Sequence, residues 1–162
     1  HADRVKVEEA ATRALARAER KSTRMACMFI DLDGFKEVND RVGHQAGDAL
    51  LRDVAQRIRH VFRDYDTIAR LGGDEFAILL TDIDNYADVA HIATRLCDAL
   101  AEPVEVEGQA LFVTASVGIA VYPDVAESVP DLIRSADEAM YDSKRAGKNR
   151  FSFSPSRAAA NA

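Results

Sequence analysis

Apolar residues along the chain fall into blocks whose spacing switches between helical and strand-like periods. From Val5 to Ala18, the residues Val7, Ala11, Ala14, Leu15 and Ala18 form a weak stripe at helical spacing. Met25 to Ile30 is an unbroken apolar run ending in Asp31, and it predicts a buried strand. Gly34 to Gly43 reads as a loop with a turn or two of helix. His44 to Arg63 predicts a long amphipathic helix with Leu50, Leu51, Val54, Ile58, Val61 and Phe62 on one side. Thr67 to Leu71 and Phe76 to Leu80 are strand-like and are separated by Gly72-Gly73-Asp74-Glu75, a hairpin signal. Tyr86 to Leu100 predicts a third helix with Val89, Ile92, Ala93, Leu96 and Leu100 apolar. Pro103 to Val106 and Ala110 to Val121 flank Gly108 and predict a second hairpin. Val129 to Ala146 predicts a fourth helix stopped at Gly147, and Phe151 with Phe153 an added edge strand.

Hairpins mixed with helical crossovers predict an α/β (α+β) fold whose central sheet is mixed and partly antiparallel, flanked by helices, rather than a doubly wound Rossmann sheet. Gly-x-Gly-x-x-Gly and Walker-type loops are absent. With 162 residues the chain fits one domain, expected over residues 1–153, with 1–22 as an N-terminal helix region and 154–162 as a tail or linker.

Composition narrows the classes of function. A formal net charge of −6 excludes a broad basic surface for nucleic acid but leaves room for a local basic pocket. Two cysteines, Cys27 and Cys97, sit in apolar contexts and predict buried thiols in a reducing compartment. No apolar run reaches the ~20 residues of a membrane span, so no membrane insertion is expected, and a cytoplasmic location is the expectation.

Candidate chemistry is concentrated in two places. Asp31 and Asp33 stand at the carboxyl end of the predicted strand from Met25, where a carboxylate emerges at a sheet edge. Asp74 and Glu75 follow two glycines, which permit a tight turn and close approach of a bulky ligand. Carboxylates from a strand end and a neighbouring turn can together hold Mg²⁺, a hard ion that favours oxygen ligands and phosphates.

These pieces stand in an order that resembles the GGDEF family of diguanylate cyclases. The resemblance is carried by Asp31-Leu32-Asp33-Gly34-Phe35-Lys36, Asn39-Asp40, Gly43-His44, Gly47-Asp48-Ala49-Leu50 and Arg70-Leu71-Gly72-Gly73-Asp74-Glu75-Phe76. It continues through Ser116-Val117-Gly118-Ile119-Ala120, Ala136-Asp137-Glu138-Ala139-Met140-Tyr141, Lys144 and Gly147-Lys148-Asn149-Arg150. It covers about residues 3 to 153 and implies a fold like that of nucleotidyl cyclases and polymerase palms.

The resemblance further implies that two GTP molecules are condensed into cyclic di-GMP, with Mg²⁺ or Mn²⁺, two ions per GTP. Asp31 and Asp74 are then the side-chain metal ligands, Leu32 a carbonyl ligand, and Glu75 the acid beside the metals. Asn39 and Asp48 read guanine; a carboxylate can accept from both N1–H and the exocyclic amine. The amides of Gly34, Phe35 and Lys36, with the side chains of Lys144 and Lys148, cradle the triphosphate. Lys144 and Lys148 are four apart, so one helical turn would bring them to the same side. Arg63 and Asp66 match an Arg-x-x-Asp product site, where cyclic di-GMP inhibits. The active state is expected to be a homodimer, within a longer protein that carries sensor or phosphodiesterase domains and has room for a membrane tether. The chain begins at His1, after the point where the family usually carries Asp-x-Leu-Thr-Gly-Leu, and has Lys148 where Arg is common. A non-catalytic GTP- or cyclic di-GMP-binding module and a cyclase of different base choice stand as alternatives; intact Asp31, Asp74 and Glu75 count against the first, and Asp48 against the second.

Overall fold

The computed structural model describes residues 2–160, so His1 and the last two residues of the expected tail lie outside the described residues. In chain order the elements begin with α1 (Ala2–Lys21), β1 (Arg24–Asp33), α2 (Phe35–Val42) and α3 (His44–Val61). They continue with β2 (Thr67–Arg70), β3 (Glu75–Ile83), α4 (Tyr86–Ala101), β4 (Val104–Val106) and β5 (Gln109–Leu111). Last come β6 (Thr114–Tyr122), α5 (Val129–Arg145), β7 (Arg150–Phe153) and the short α6 (Arg157–Ala160).

The five long-range strands form one sheet in the order β2-β3-β1-β6-β7. Strand β1 is antiparallel to both neighbours, while β6 and β7 run parallel, so the sheet is mixed as expected. Alternate side chains of β1 serve two cores. Ala26, Met28, Ile30 and Leu32 join residues of α2, α3 and α4 on one face, and Met25, Cys27 and Phe29 join α1 and α5 on the other. A strand covered on both faces reads as a continuous apolar run, which is why periodicity alone gave no alternation there.

Local signals account for the helix starts. Asn85 caps α4 by accepting from the Asp88 amide at 2.9 Å, and Ser128 caps α5 by accepting from the Asp131 amide at 3.3 Å. The turn or two of helix expected in the 34–43 stretch is α2, which occupies eight residues of it. One expectation fails. The run Ala110 to Val121 is two strands, not one: β5 pairs only with β4 in a separate two-stranded sheet, and β6 starts afresh at Thr114 inside the main sheet. Apolar content continues through the break because Leu111 and Val113 are both buried, so composition hides the change of partner.

Both thiols are buried, and burial pushes Cys27 up to about 12 and Cys97 up to about 11, which keeps them protonated. The chain past Ser154 is held at its start: the Arg157 amide and guanidinium donate to the carbonyls of Asp124 and Pro123 at 2.9 and 2.8 Å. Among the described residues no helix is long and apolar enough to cross a membrane.

Candidate active site

Strand pairing assembles the acids. In the β1–β3 register Asp31 stands opposite Glu75, and on its other side it stands opposite Ser116 of β6. The hairpin tip between β2 and β3 is bound to the end of β1, because the Leu32 amide donates to the Asp74 carbonyl at 3.0 Å. Arg70 closes that tip, its guanidinium donating to the carbonyls of Gly72 and Gly73 at 2.9 and 3.0 Å. Asp31, Leu32, Asp74 and Glu75, separated by up to 44 positions in sequence, thus meet at the edge formed by the strand ends, in the middle of the sheet.

Lys144 reaches this edge from α5. Its ammonium lies 3.1 Å from Asp31 Oδ2 and 3.2 Å from Asp33 Oδ1. Burial raises Asp31 to about 6; Lys144 pulls the other way, and Asp74 and Glu75 add to the rise. Asp33 ends below the ordinary carboxylate range. Burial opposes its ionisation but is outweighed by hydrogen bonds from Thr114, Ser116, the Asn149 amide and Lys144. Burial lowers the Lys144 ammonium, and the two aspartates more than reverse this.

The residues expected to hold nucleotide lie on the adjoining helices and at their start. Gly34 adopts φ 79 between β1 and α2, a left-handed conformation suited to glycine, and so turns the chain directly into a helix N-terminus. The first amides of α2, including those of Phe35 and Lys36, have no acceptor within the helix and suit an anion. The Phe35 side chain is buried in the core while Lys36 is exposed. Asn39 of α2 leans over the first turn of α3, donating to His44 Nδ1 at 3.2 Å. It can do so because residue 47 is glycine: a Cβ there would lie 2.0 Å from the Asn39 side-chain oxygen. Asp48 follows on the first turns of α3 and is exposed.

Lys148 departs from expectation. Helix α5 ends at Arg145, and Gly147, Lys148 and Asn149 take φ values of 124, 65 and 49, so the two lysines are not successive turns of one helix. Gly147 ends the helix before the spacing rule can act. Lys148 is exposed on the turn that leads into β7, past the helix end that carries Lys144.

Among the described residues, no three acidic, histidine or cysteine side chains form a cluster able to hold an ion by themselves. Two carboxylates and a backbone carbonyl at one edge fit instead a cation that arrives with phosphate oxygens, the usual way Mg²⁺ is bound.

The whole arrangement has counterparts among known proteins. The family described as "Diguanylate cyclase, GGDEF domain" matches residues 2–150. This chain belongs to that family. As a GGDEF domain it is 42% identical over 160 residues to the bifunctional diguanylate cyclase/cyclic di-GMP phosphodiesterase MucR of Pseudomonas aeruginosa, a match covering 99% of this chain and 23% of MucR. It is 44% identical over 140 residues to the probable diguanylate cyclase DgcE of Escherichia coli, covering 85% of this chain and 13% of DgcE. The chain therefore spans less than a quarter of either relative. The crystal structure of the GGDEF domain of TpbB (YfiN) from Pseudomonas aeruginosa superposes with a TM-score of 0.90 at 39% identity, covering 93% of this chain and 94% of that one. The GGDEF domain of DgcB from Caulobacter crescentus, solved in complex with c-di-GMP, gives a TM-score of 0.80 at 31% identity, covering 88% and 84%.

Within this GGDEF domain, Arg63 and Asp66 lie apart from the acids, at the opposite end of the β2–β3 hairpin. Helix α3 ends at Val61, not Arg63, and Phe62 is already extended. The Arg63 amide and Nε donate to Asp66 Oδ2 at 2.9 and 3.0 Å, and Nη2 donates to Oδ1 at 2.8 Å and to the Thr81 carbonyl at 3.0 Å. The Asp66 side chain is fully buried and turned inward onto its own arginine. The Arg63 guanidinium also stacks on the exposed Tyr65 ring at 4.4 Å. Beside it, α1 and the hairpin enclose a cleft of about 450 Å³ with Arg13 and Arg17 in its wall.

Neither Gly72 nor Gly73 takes a left-handed φ, so the tip does not need glycine for its turn. A Cβ at either position would meet nothing within 4 Å, which leaves open space for a ligand as the reason for small residues there. Asp33 stands beside Asp31 in the sequence, but no local pattern gives it a role. The signal that could have found it is the polar pair Thr114 and Ser116 at strand spacing on the otherwise apolar β6, opposite Asp33 and Asp31.

Proposed function

We propose that this GGDEF domain is a diguanylate cyclase, joining two GTP molecules into cyclic di-GMP with release of two pyrophosphates. The observation that carries the reading is the antiparallel register that sets Asp31 against Glu75, with Lys144 3.1 Å from Asp31 and the start of α2 next in the chain. Acids for cations and cations for phosphates meet at one end of the strands.

In this reading Asp31, Asp74 and the Leu32 carbonyl hold the cations, two per GTP. Bound Mg²⁺ or Mn²⁺ supplies Lewis-acid neutralisation of phosphate charge and a more acidic attacking hydroxyl. Lys144, Lys148 and the amides of Gly34, Phe35 and Lys36 bind the triphosphate and take up negative charge as pyrophosphate leaves. Asn39 and Asp48 hold guanine through its N1–H and amine. Glu75 accepts the proton of the 3′-hydroxyl whose oxygen forms the new bond to the α-phosphorus of the second GTP, while the bond to the pyrophosphate oxygen breaks. Because one copy binds one GTP, two copies face each other and the step occurs twice. Such a domain would act within a longer protein bearing sensor or phosphodiesterase domains, in the cytoplasm, where two unpaired thiols stay reduced.

The test is incubation of the purified domain with GTP and Mg²⁺, followed by anion-exchange separation of products. Cyclic di-GMP is expected from wild type and none above background from Asp74→Ala or Glu75→Ala. Both substitutions sit at the hairpin tip, outside the apolar core, so folded protein by circular dichroism is expected in each case. Full turnover in either folded variant would remove that residue from the chemistry.

A further inference from the structure

Asp33 lies two residues past Asp31 on the same strand, yet its environment is opposite. A carboxylate offers about four acceptor positions, and all four are taken. Oδ1 accepts from Ser116 Oγ at 2.7 Å and Lys144 Nζ at 3.2 Å; Oδ2 accepts from Thr114 Oγ1 at 2.7 Å and the Asn149 amide at 3.1 Å. Asp31 has only Lys144 as a side-chain partner among the described residues, and so keeps acceptor positions for a ligand.

The partners of Asp33 come from three elements: β6, α5 and the turn between α5 and β7. That turn is strained, with Gly147, Lys148 and Asn149 all left-handed in succession. Glycine and asparagine tolerate this conformation, but lysine does so at a cost, and such backbone persists only where its surroundings over-determine it. The Lys148 amide is held by the Ser143 carbonyl at 3.0 Å, and the Asn149 amide by Asp33.

We infer that Asp33 is a positioning residue whose saturated carboxylate holds the Lys144 ammonium and the 147–149 turn that carries Lys148, and so sets where both lysines meet phosphate. It binds neither cation nor substrate itself. A ligand that claims the Asp31 carboxylate leaves Lys144 one carboxylate, Asp33, to hold it in place. The inference rests on the proposed reading of Lys144 and Lys148 as triphosphate ligands.

The experiment is titration of wild type and Asp33→Asn with two probes: a GTP analogue with a non-cleavable α–β bridge, with Mg²⁺, and guanosine, which has no phosphate. Asp33→Asn is expected to weaken the analogue by about 10-fold or more, the scale of a lost charge-assisted hydrogen bond, and to leave guanosine within twofold. Thr114→Val/Ser116→Ala keeps the carboxylate but removes two of its four donors; it is expected to shift the analogue in the same direction by less, and it carries the test should Asp33→Asn fail to fold. Unchanged analogue affinity in these variants, or equal losses for analogue and guanosine, would overturn the positioning role. Wild type that binds guanosine but gains nothing from the triphosphate would instead overturn the reading on which the inference rests.

Discussion

At the scale of single residues, Asp31 and Asp33 share a strand, a face and a lysine, yet their acidities move in opposite directions. Burial and the neighbouring acids raise Asp31 to about 6 from an ordinary 3.8, while four hydrogen bonds hold Asp33 low. Because the folded value of Asp31 lies above the unfolded one, the stability it contributes is full below pH 3.8 and is lost as pH rises through about 6. Asp31→Asn carries no charge at any pH. Metal-free Asp31→Asn is therefore expected to melt like wild type near pH 4 and to be more stable at pH 8, by on the order of 1–2 kcal/mol after discounting for water's access to the carboxylate. Thermal melts across that range check it, and a lower melting temperature than wild type at pH 8 would refute it. Asp48 allows the corresponding test for the base. It is exposed, so its removal disturbs no packing. Asp48→Ala is expected to weaken GTP about 10- to 150-fold, the range for a lost charged hydrogen bond, while ATP binding changes little. Equal losses in parallel titrations would detach Asp48 from guanine recognition.

At the scale of elements, the hairpin from Thr67 to Leu80 and the four long helices were legible because each carries its own period and punctuation. What was illegible needed long-range register. Nothing local says that Asp31 faces Glu75 or that Asp33 faces Thr114, since both pairings form across strands far apart in sequence. The four-residue spacing of Lys144 and Lys148 would put them on one side only inside an unbroken helix, and Gly147 lies between them. Gly118 shows how closely the elements that carry the site approach. A Cβ there would lie 2.1 Å from the Ala136 carbonyl oxygen and 2.1 Å from the Met140 amide nitrogen, both backbone atoms of α5 that cannot rotate away. Gly118→Ala must therefore push α5, with Lys144, off the sheet. A loss of about 3 kcal/mol or more in urea unfolding is expected, the upper end for overpacking. Gly72→Ala, with open space around it, is expected to change stability by less than about 0.5 kcal/mol. Similar midpoints for the two variants would contradict the close approach of α5 and β6.

At the scale of the whole molecule, the two ends of the β2–β3 hairpin do different things. The Gly72–Glu75 end joins the acids, and the Thr81 end receives Arg63, six strand residues or roughly 20 Å away. A ligand of two guanines and two phosphates bound at Arg63 would not reach the acids on the same copy. The cleft beside it offers Arg13 to phosphate and Tyr65 to a base, with Arg17 3.7 Å from Asp82 in the same wall and Arg63 already oriented by the buried Asp66. In the proposed reading cyclisation needs two copies with their GTP sites facing, so product holding copies together through this remote cleft would stop turnover without displacing GTP. The expected outcome is non-competitive inhibition by cyclic di-GMP when GTP is varied, abolished in Arg63→Ala with uninhibited turnover within about threefold of wild type. Asp66→Asn is expected to weaken inhibition less, because its carboxylate acts through Arg63 and does not face the cleft. Competitive inhibition, or inhibition unaltered in Arg63→Ala, would leave the Arg63–Asp66 pair as a clamp that does no more than close the end of α3 onto the strand below it.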